Sequence, residues 1–487
     1  MATHHWKCNP IMLGKIFKSL IGGNKMADNG VPAVSVLVPD DKPPHPSSNT
    51  NAIDTTHIPS GDVVTSILPV ETSGTPNDSE TLGQRFLGRQ PLLDRTQHVV
   101  GYELMLRRTP IKGDGDLNEL RLVHSQTLVR CLLDLDIGRL VGGKQALIEL
   151  APEMLDNPLL NLLPQKGITL CIDFKSRLDH ETINRCKSLK VLGYQFALDN
   201  LEPAPAVEPL LELAHFVRID VTRYNAIELA RLVDKLLDKS PQLQLIAHNV
   251  HSETEFEACH RLFFHYFQGY YFAKRQPAAP SRIDSDRVRV MELLNMVKNR
   301  AEVPALEEVF KHDAMLSYKL LLYMNAPING LAQQIRSIAH AIMILGYEQL
   351  YRWLTLLLFT SGSLGPRSKA LLKSALIRAR MMELLGSEKM TGQEKDGLFI
   401  VGVFSLLDVL LNVPMAQAVD RLHLPAPIID GLVHHSGTYA PYLNLVLACE
   451  EADESSISRI AEKCGLDAKS VNQAHIQALI WAEGIDL

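Results

Sequence analysis

The sequence predicts an α/β domain followed by an all-helical domain, and three observations support this. The chain has 487 residues, enough for two or three domains of ordinary size. Over residues 82–277, short apolar runs alternate with segments of helical periodicity, the pattern of βαβ units around a parallel sheet. Over residues 281–487 the strand pattern disappears and only helical periodicity remains.

The segment 1–81 differs in composition from both predicted domains. Between Ala27 and Thr81 the chain is rich in Pro, Ser, Asn, Thr and Asp and poor in periodic apolar residues. Such a segment cannot bury enough surface to offset the entropy lost on ordering, so we expect a disordered extension. Within it, residues 11–21 carry apolar side chains at helical spacing. Two interpretations stay open for this stretch: an amphipathic helix that touches a membrane surface or a partner, or a frayed terminus.

Six strands and five helices are predicted between residues 82 and 277. The predicted strands are Val99–Leu106, Gln145–Leu150, Ile168–Ile172, Tyr194–Leu198, Phe216–Ile219 and Gln244–Ala247. The predicted helices are Leu117–Leu133, His180–Ser188, Ala206–Leu213, Ala226–Leu237 and Glu253–Phe263. With this many units, closure into a TIM-like (β/α) barrel is the favoured arrangement, and its functional residues then lie at the carboxyl ends of the strands.

The second domain follows a linker at Pro277–Pro280 and is predicted to be entirely helical. Its predicted helices are Val288–Asn299, Ala305–Phe310, Met315–Met324, Ile338–Leu345, Glu348–Phe359, Ala370–Leu385, Leu398–Leu411 and Ala474–Ala482. Glycine and proline residues separate most of these segments, as expected for helices joined by short loops.

Composition excludes several classes of protein. The chain is 46% hydrophobic and 21% charged with a net charge of −6, so a surface that coats nucleic acid is not expected. Seven scattered cysteines without a C-x-x-C pair argue against a disulfide framework or a zinc knuckle. We find neither a secretory signal nor an apolar run long enough to span a bilayer, and we expect a cytoplasmic protein.

Polar residues at the predicted strand ends form a recognisable series. They are Glu103, Arg107, Glu149, Asp173, Asp199, Asn200, Arg218, Asp220, His248, His251 and Gln268. Five motifs in this series, at residues 102–107, 198–201, 217–220, 246–251 and 268–272, resemble in order those of EAL domains, the barrel phosphodiesterases of cyclic di-GMP signalling. They stand where that family has Glu-Ala-Leu-x-Arg, Asp-Asp-Phe-Gly, Lys-x-Asp, Ala-Glu-Gly-Val-Glu and Gln-Gly-Tyr.

A second resemblance covers the helical part. Residues 311–326 resemble the HDOD pattern of Asp-Pro-x-Leu followed by Leu-x-x-x-Asn-Ser. Residues 335–346 resemble its Ile-x-Ser-Ile and Ala-Ile-x-x-Leu-Gly elements. An EAL-type barrel followed by an HDOD domain is a bacterial signalling arrangement, and the resemblance extends over about residues 84–485.

Departures from the EAL motifs fall on the residues that carry the family's chemistry. The resemblance implies Mg or Mn ligands at Glu103 and Asp199, but the metal-binding Asn of the family is replaced by Glu149 and the assisting Lys by Arg218. Further replacements are Cys171 or Asp173 for a Glu, Asn200 for an Asp, and His248 and His251 for two Glu. Hard divalent cations need oxygen ligands, preferably anionic ones, so we expect no phosphodiesterase activity.

The helical domain also lacks a catalytic set. In the related HD hydrolases a His-Asp dyad binds metal, and Ser405 and Leu406 occupy those positions. The later pair His434 and His435 has no dyad to complete, and helix-end roles are expected for both. We therefore expect no hydrolysis in this domain.

These observations predict a catalytically inactive signalling regulator that acts through protein–protein contact. No catalytic residue, metal ligand or cofactor is predicted, beyond a vestigial divalent-metal site. Glu103, Arg107, Asp199 and Gln268 are the candidate ligand-binding residues. The expected partners are a regulatory protein and, as alternatives, cyclic di-GMP bound without hydrolysis or with residual hydrolysis; a homodimer is possible by analogy, and no nucleic acid is expected.

Overall fold

The computed structural model describes residues 86–106, 117–173, 180–199, 208–275, 284–326, 335–361, 366–387, 389–451 and 454–485. The predicted N-terminal extension with its segment 11–21, and the candidate residues Arg107 and Asn200, lie outside the described residues. Among the helices in these ranges, none is both long and apolar enough to cross a membrane.

Eight strands form a closed barrel, which confirms the predicted fold. They are β1 (Leu87–Asp94), β2 (Val99–Leu106), β3 (Gln145–Leu150), β4 (Ile168–Ile172), β5 (Gln195–Asp199), β6 (Phe216–Asp220), β7 (Gln244–His248) and β8 (Tyr266–Gln268). Strands β2 to β8 run parallel to their neighbours, whereas β1 is antiparallel to both β2 and β8.

The expectation of an entirely parallel sheet was therefore wrong for β1. This strand contains Pro91, which in a sequence argues against a strand, and it joins β2 through a tight turn. The Asp94 carboxylate accepts hydrogen bonds from the backbone N–H of Thr96 and His98, and Gln97 takes a left-handed conformation (φ 65°) to close the turn.

In the described residues, six α-helices surround the barrel. They are α1 (Leu117–Asp134), α2 (Ile137–Val141), α3 (His180–Leu192), α4 (Glu208–Leu213), α5 (Ala226–Lys239) and α6 (Glu253–Arg261). Capping boxes begin α5, with Asn225 and Glu228, and α6, with Ser252 and Glu255, which fixes where each helix leaves the loop that follows its strand.

The barrel interior is layered along its axis. At the amino ends of the strands, the Gln145 amide donates hydrogen bonds to Thr169 and Gln195. Above it lies a separate apolar cluster of Leu92, Leu147, Cys171, Ala197, Phe216 and Ile246. Because side chains alternate along a strand, the next inward-facing positions form a polar layer at the carboxyl ends.

The second part of the chain is helical throughout its described residues. Its helices are α7 (Ser285–Lys298), α8 (Val303–Lys311), α9 (Ala314–Met324), α10 (Ile338–Thr360), α11 (Pro366–Leu385), α12 (Gly392–Phe404), α13 (Leu407–Leu411), α14 (Met415–Asp420), α15 (Ala426–Ile429), α16 (Ala440–Glu451), α17 (Glu454–Lys463) and α18 (Ala468–Glu483). A π-helical turn, Asp430–His434, follows α15.

The predicted helices account for α7 to α13 and α18, whereas α14, α15, α16 and α17 were not predicted. The predicted helix Leu398–Leu411 is two helices, α12 and α13, because the chain leaves helical geometry at Ser405 and Leu406. The break predicted at Gly346 is confirmed: α10 leaves helical geometry there, because Gly346 has φ 75°, a conformation that glycine adopts without the penalty a Cβ would bring.

The two parts of the chain meet at the last helix. Glu483 of α18 is buried and forms 3.0 Å ion pairs with Arg89 of β1, Lys144 and Lys373 of α11, and it accepts a hydrogen bond from the Tyr102 hydroxyl. These three cations lower the pKa of Glu483 to about 2 against the opposing effect of burial. The carboxylate therefore joins the barrel to the helical part.

Candidate functional site

The polar layer at the barrel mouth is built from the ends of five strands. Glu103 lies on β2, Glu149 on β3, Asp199 at the end of β5, Arg218 on β6 and Gln268 at the end of β8. Since the carboxyl ends of parallel strands meet at one face of a barrel, these five side chains come together there. The structure thus brings together three of the four predicted ligand-binding residues, and the fourth, Arg107, is not described.

Arg218 lies at the centre of this layer and contacts three carboxylates. Its Nε donates to Asp199 Oδ1 at 2.7 Å, and one Nη donates to the other oxygen of the same carboxylate. The second Nη donates to Glu103 Oε1. The first Nη also donates to Glu149 Oε2, in a longer contact of 3.3 Å. The guanidinium is therefore held by the fork geometry that suits Arg and that a Lys cannot make.

Gln268 completes the layer from the opposite side. Its amide Nε2 donates to Glu103 Oε2 at 3.1 Å, so both oxygens of Glu103 are engaged. The following residue, Gly269, has φ 147°, and a Cβ there would lie 1.9 Å from the carbonyl oxygen of Val250. Only glycine fits this close approach of two backbones, which fixes Gln268 at the strand end.

The cluster is removed from solvent. Arg218, Glu103 and Asp199 are each at most 5% exposed and Gln268 is fully buried, whereas the Glu149 side chain is 41% exposed. Buried charges are costly unless they are paired and hydrogen-bonded. Each buried charge here has such partners, and the pairing depends on Arg218.

The charges respond differently to this environment. Burial lowers the pKa of Arg218 and the carboxylates of Asp199 and Glu103 raise it; the carboxylates prevail, so the guanidinium stays protonated. At Glu103 burial raises the pKa of the carboxyl and the guanidinium of Arg218 lowers it. The guanidinium prevails, so the pKa is lowered. At Asp199 burial prevails, because one cation is shared among several anions, and its pKa rises to about 6.

The neighbouring residues give no metal site in the part of the chain that is described. No group of three or more His, Cys, Asp or Glu side chains there is arranged to hold a metal ion. Burial raises the pKa of the Cys171 thiol, which keeps it neutral, and Asp173 points to Arg121 at 3.6 Å. The position between Glu103 and Asp199 is filled by the guanidinium of Arg218.

The two histidines have separate environments. Burial, with a contribution from Arg218, lowers the pKa of His248, so its imidazole is neutral at pH 7. His251 is exposed, and its backbone N–H donates to Glu255 at the start of α6. Asp220 accepts hydrogen bonds from Thr222, which places its carboxylate in the local turn.

A second buried Arg lies beside the dyad positions of the helical part. Arg378 of α11 forms a two-bond contact with Glu450, at 2.9 and 2.7 Å, and donates to Ser405 Oγ at 3.0 Å. Ser405 Oγ in turn donates to the carbonyl of Gly402. Leu406 is buried and can ligate no metal, as the sequence indicated.

The barrel mouth and this second cluster are linked through the segment that ends β8. The Tyr270 hydroxyl donates to the carbonyl oxygen of Glu450 at 2.9 Å. Arg367 of α11 donates to the carbonyls of Phe272 and Lys274 in the same segment. Only Gly269 therefore separates Gln268, at the carboxylate cluster, from Tyr270, which contacts the helical part.

Comparison with known proteins bears on both parts of the chain. Residues 285–419 match the model of the HDOD domain. The helical part contains an HDOD domain. The HDOD match covers α7 to α13 and most of α14, so Gly346, Arg378 and Ser405 lie inside this domain, whereas Glu450 lies beyond the match.

Two known proteins align with this chain over nearly their whole length. The uncharacterized protein YuxH of Bacillus subtilis is 27% identical over 412 residues, which cover 82% of this chain and 98% of YuxH. The cyclic di-GMP phosphodiesterase CdgJ of Vibrio cholerae is 26% identical over 413 residues, covering 84% and 94%. The chain thus joins an EAL-like barrel to an HDOD domain, an arrangement that the sequence motifs predicted.

Among solved structures, the barrel is similar to the FimX EAL domain of Pseudomonas aeruginosa bound to c-di-GMP. That similarity has 19% identity and a TM-score of 0.32, and it covers 41% of this chain and 95% of the FimX domain.

Proposed function

We propose that this chain is a cyclic di-GMP signalling regulator of the EAL–HDOD type that does not hydrolyse the nucleotide and acts through contact with a regulatory protein. The observation that carries the proposal is the contact of Arg218 with Glu103, Asp199 and Glu149. A phosphodiesterase of this kind would hold divalent cations between such carboxylates to activate water. Here a fixed, permanently protonated side chain occupies that position.

Loss of metal chemistry follows from the energetics of exchange. A divalent cation would have to displace a guanidinium that makes four contacts with carboxylates, and the displaced Arg218 would then need a new partner in a buried place. Cys171 and neutral His248 add no anionic oxygen. The site is therefore suited to structural pairing and unsuited to metal-assisted hydrolysis.

The charge of the cluster also disfavours a phosphate ligand. Three carboxylates surround one guanidinium, so the described part of the mouth is negative or neutral, and a cyclic dinucleotide carries two negative phosphates. Cyclic di-GMP binding, without hydrolysis or with residual hydrolysis, stays an alternative, supported by the similarity to the cyclic di-GMP phosphodiesterase CdgJ. Calorimetric titration with cyclic di-GMP separates the two: our proposal expects no saturable heat at neutral pH.

The HDOD domain exposes apolar side chains that a partner could cover. Met315 and Tyr318 of α9 are 56% and 52% exposed, and Met343 of α10 is 64% exposed. The two helices contact each other. Exposed apolar side chains that lie close together commonly mark protein interaction sites, and Met packs adaptably against different partners.

A hydrolysis assay tests the inactive state of the barrel. The full chain is incubated with cyclic di-GMP and Mg²⁺ or Mn²⁺, beside a Glu103→Gln variant. We expect no turnover above the Glu103→Gln background. Turnover that the variant abolishes would show that the barrel is an active phosphodiesterase.

Contact with a protein partner needs a separate test. The chain is used to capture proteins from its native cells. A Met315→Ser/Tyr318→Ser variant is compared with a control, Val191→Ser/Phe263→Ser. The control changes two apolar residues of the barrel domain that are 88% and 70% exposed. We expect the first variant to lose a partner that the second retains. Equal capture by both variants would contradict an HDOD contact at α9.

A further inference from the structure

A cavity that opens to solvent, between helices of the HDOD domain and α15, has the size of a small-molecule site. It encloses about 320 Å³ between the end of α7, the second half of α10, the start of α12 and α15. That volume lies at the lower end of the range of ligand pockets, about 300–1,000 Å³. The cavity lies in a different part of the fold from the barrel mouth and from the Arg378 cluster, and neither the barrel motifs nor the HDOD motifs assign it a role.

Two unusual backbone conformations shape its wall. Gly346 (φ 75°) breaks α10, and the next residue, Tyr347, lines the cavity and donates from its hydroxyl to the carbonyl of Ala301 at 2.7 Å. This bond holds the turn after α7, in which Arg300 has φ 51°. A non-glycine residue in this conformation stores strain, and such residues concentrate at binding sites.

Basic side chains converge on the cavity. Arg352 is buried and paired with Asp396 and Glu383, so its charge is compensated. Lys298 and Arg300 form no ion pair with any side chain in the described residues. The acidic lining residue besides Asp396 is Glu348, which is exposed. An anion in the cavity would therefore find two cations that are not ion-paired, beside the carboxylates of Glu348 and Asp396.

The remaining wall is apolar and aromatic. Tyr347 and Tyr351 face the cavity together with Val297, Ile400, Pro425 and Ile428. Flat aromatic surfaces beside aliphatic ones suit a ring system, and Arg300 lies 5.9 Å from the centre of the Tyr347 ring, so a ligand ring and its charged group would both find partners. Burial lowers the pKa of Lys298, which an anionic ligand would reverse.

We propose that this cavity binds a small aromatic anion, a ring that bears one phosphate or carboxylate group. Lys298 and Arg300 would pair with the anionic group, and the ring would lie against Tyr347 and Tyr351. The inference does not rest on the proposed function of the barrel, because none of these residues lies in the barrel. The HDOD domain would then respond to a metabolite of this chemistry.

The experiment uses the full chain and three probes: phenyl phosphate, indole-3-acetate and guanosine 5′-monophosphate. Ligand-observed NMR and calorimetry measure binding to the unchanged protein, to Lys298→Gln and Arg300→Gln, and to the control Lys463→Gln, which removes an exposed cation on α17. Arg300 and Lys463 are exposed, so these variants are expected to fold, and thermal unfolding checks each of them.

We expect at least one probe to bind with a dissociation constant below about 1 mM. Lys298→Gln and Arg300→Gln should each weaken it about tenfold or more, since each removes a charge-assisted contact, whereas Lys463→Gln should leave it unchanged. If none of the probes binds the unchanged protein, the inference is wrong. It is equally overturned if a probe binds and neither cavity variant weakens it.

Discussion

Replacing Arg218 with Met should destabilise the barrel by about 3–5 kcal/mol, because Met fills similar space but leaves Glu103 and Asp199 buried without a cation. For a domain of this size that corresponds to a melting temperature lower by roughly 6–20 °C. The loss should shrink as the pH falls, since the unpaired carboxyls acquire raised pKa values and accept protons, and the neutral forms carry no desolvated charge.

The readout must report on the barrel. The chain has three tryptophans, Trp6, Trp353 and Trp481, and none lies in the barrel, so fluorescence would follow the wrong domain. Hydrogen exchange of peptides that cover β5 and β6 is the suitable assay. The control Arg223→Met removes an exposed arginine paired with Asp220, for which we expect less than about 1 kcal/mol.

A triple variant tests the physical reason. Glu103→Gln and Asp199→Asn, combined with Arg218→Met, remove both anions along with the cation, and most of the lost protection should return. The reasoning is refuted if, at pH 8, the amide hydrogens of β5 and β6 exchange no faster in Arg218→Met than in the unchanged protein. It is also refuted if the triple variant is as unstable as the single one.

Three further predictions concern the contacts between and within the two domains. Glu483→Gln should lower the free energy of unfolding by on the order of 3 kcal/mol at pH 7, because folding lowers the pKa of this carboxyl from 4.5 to about 2. The contribution is present above pH 4.5 and is lost as the pH falls towards 2. The melting temperatures of the variant and the parent should therefore converge in acid. Gly269→Ala should place a Cβ against the Val250 carbonyl and speed exchange in β8 strongly, while Gly143→Ala, where φ is 71° but the space is open, should strain only its own turn and leave exchange in β8 unchanged. Tyr270→Phe should lower stability by about 1 kcal/mol, because it deletes the hydrogen bond to the Glu450 carbonyl. Amide hydrogens of α16 should then exchange faster, while those of the barrel strands exchange at an unchanged rate.

Much of the barrel could be predicted from the sequence because its strands are short apolar runs. Strands β2, β3 and β4 have the predicted bounds, and β5 to β7 end one residue later than predicted. Strand β1 was missed because Pro91 interrupts its pattern, and β8 because three residues give too little alternation to recognise. Both missed strands are the ones that close the barrel.

Four helices of the second part, α14 to α17, were not predicted, although α16 and α17 have 12 and 10 residues. Length explains only the two short ones. The helices α14 and α15 have six and four residues, below the length at which periodicity is informative. The break at Ser405 was missed because apolar residues continue through it, and only the tertiary contact of Ser405 with Arg378 accounts for its position.

The site was only partly accessible from the sequence. The motif order indicated that Glu103, Asp199 and Gln268 belong to one site, and the structure places them together. The sequence presented Arg218 as a replacement that is poor at proton transfer, whereas its contacts show a central structural cation. That role depends on which carboxylates lie within reach of its guanidinium, which strand spacing alone does not give.

Manganese in crystals of the full chain tests the central claim most directly. Crystals soaked in Mn²⁺ near pH 7.5 are measured at a wavelength where manganese scatters anomalously. Our account predicts no anomalous peak between Glu103 and Asp199, with the Arg218 guanidinium in that position. Two well-occupied manganese ions at these carboxylates, with Arg218 displaced, would contradict it.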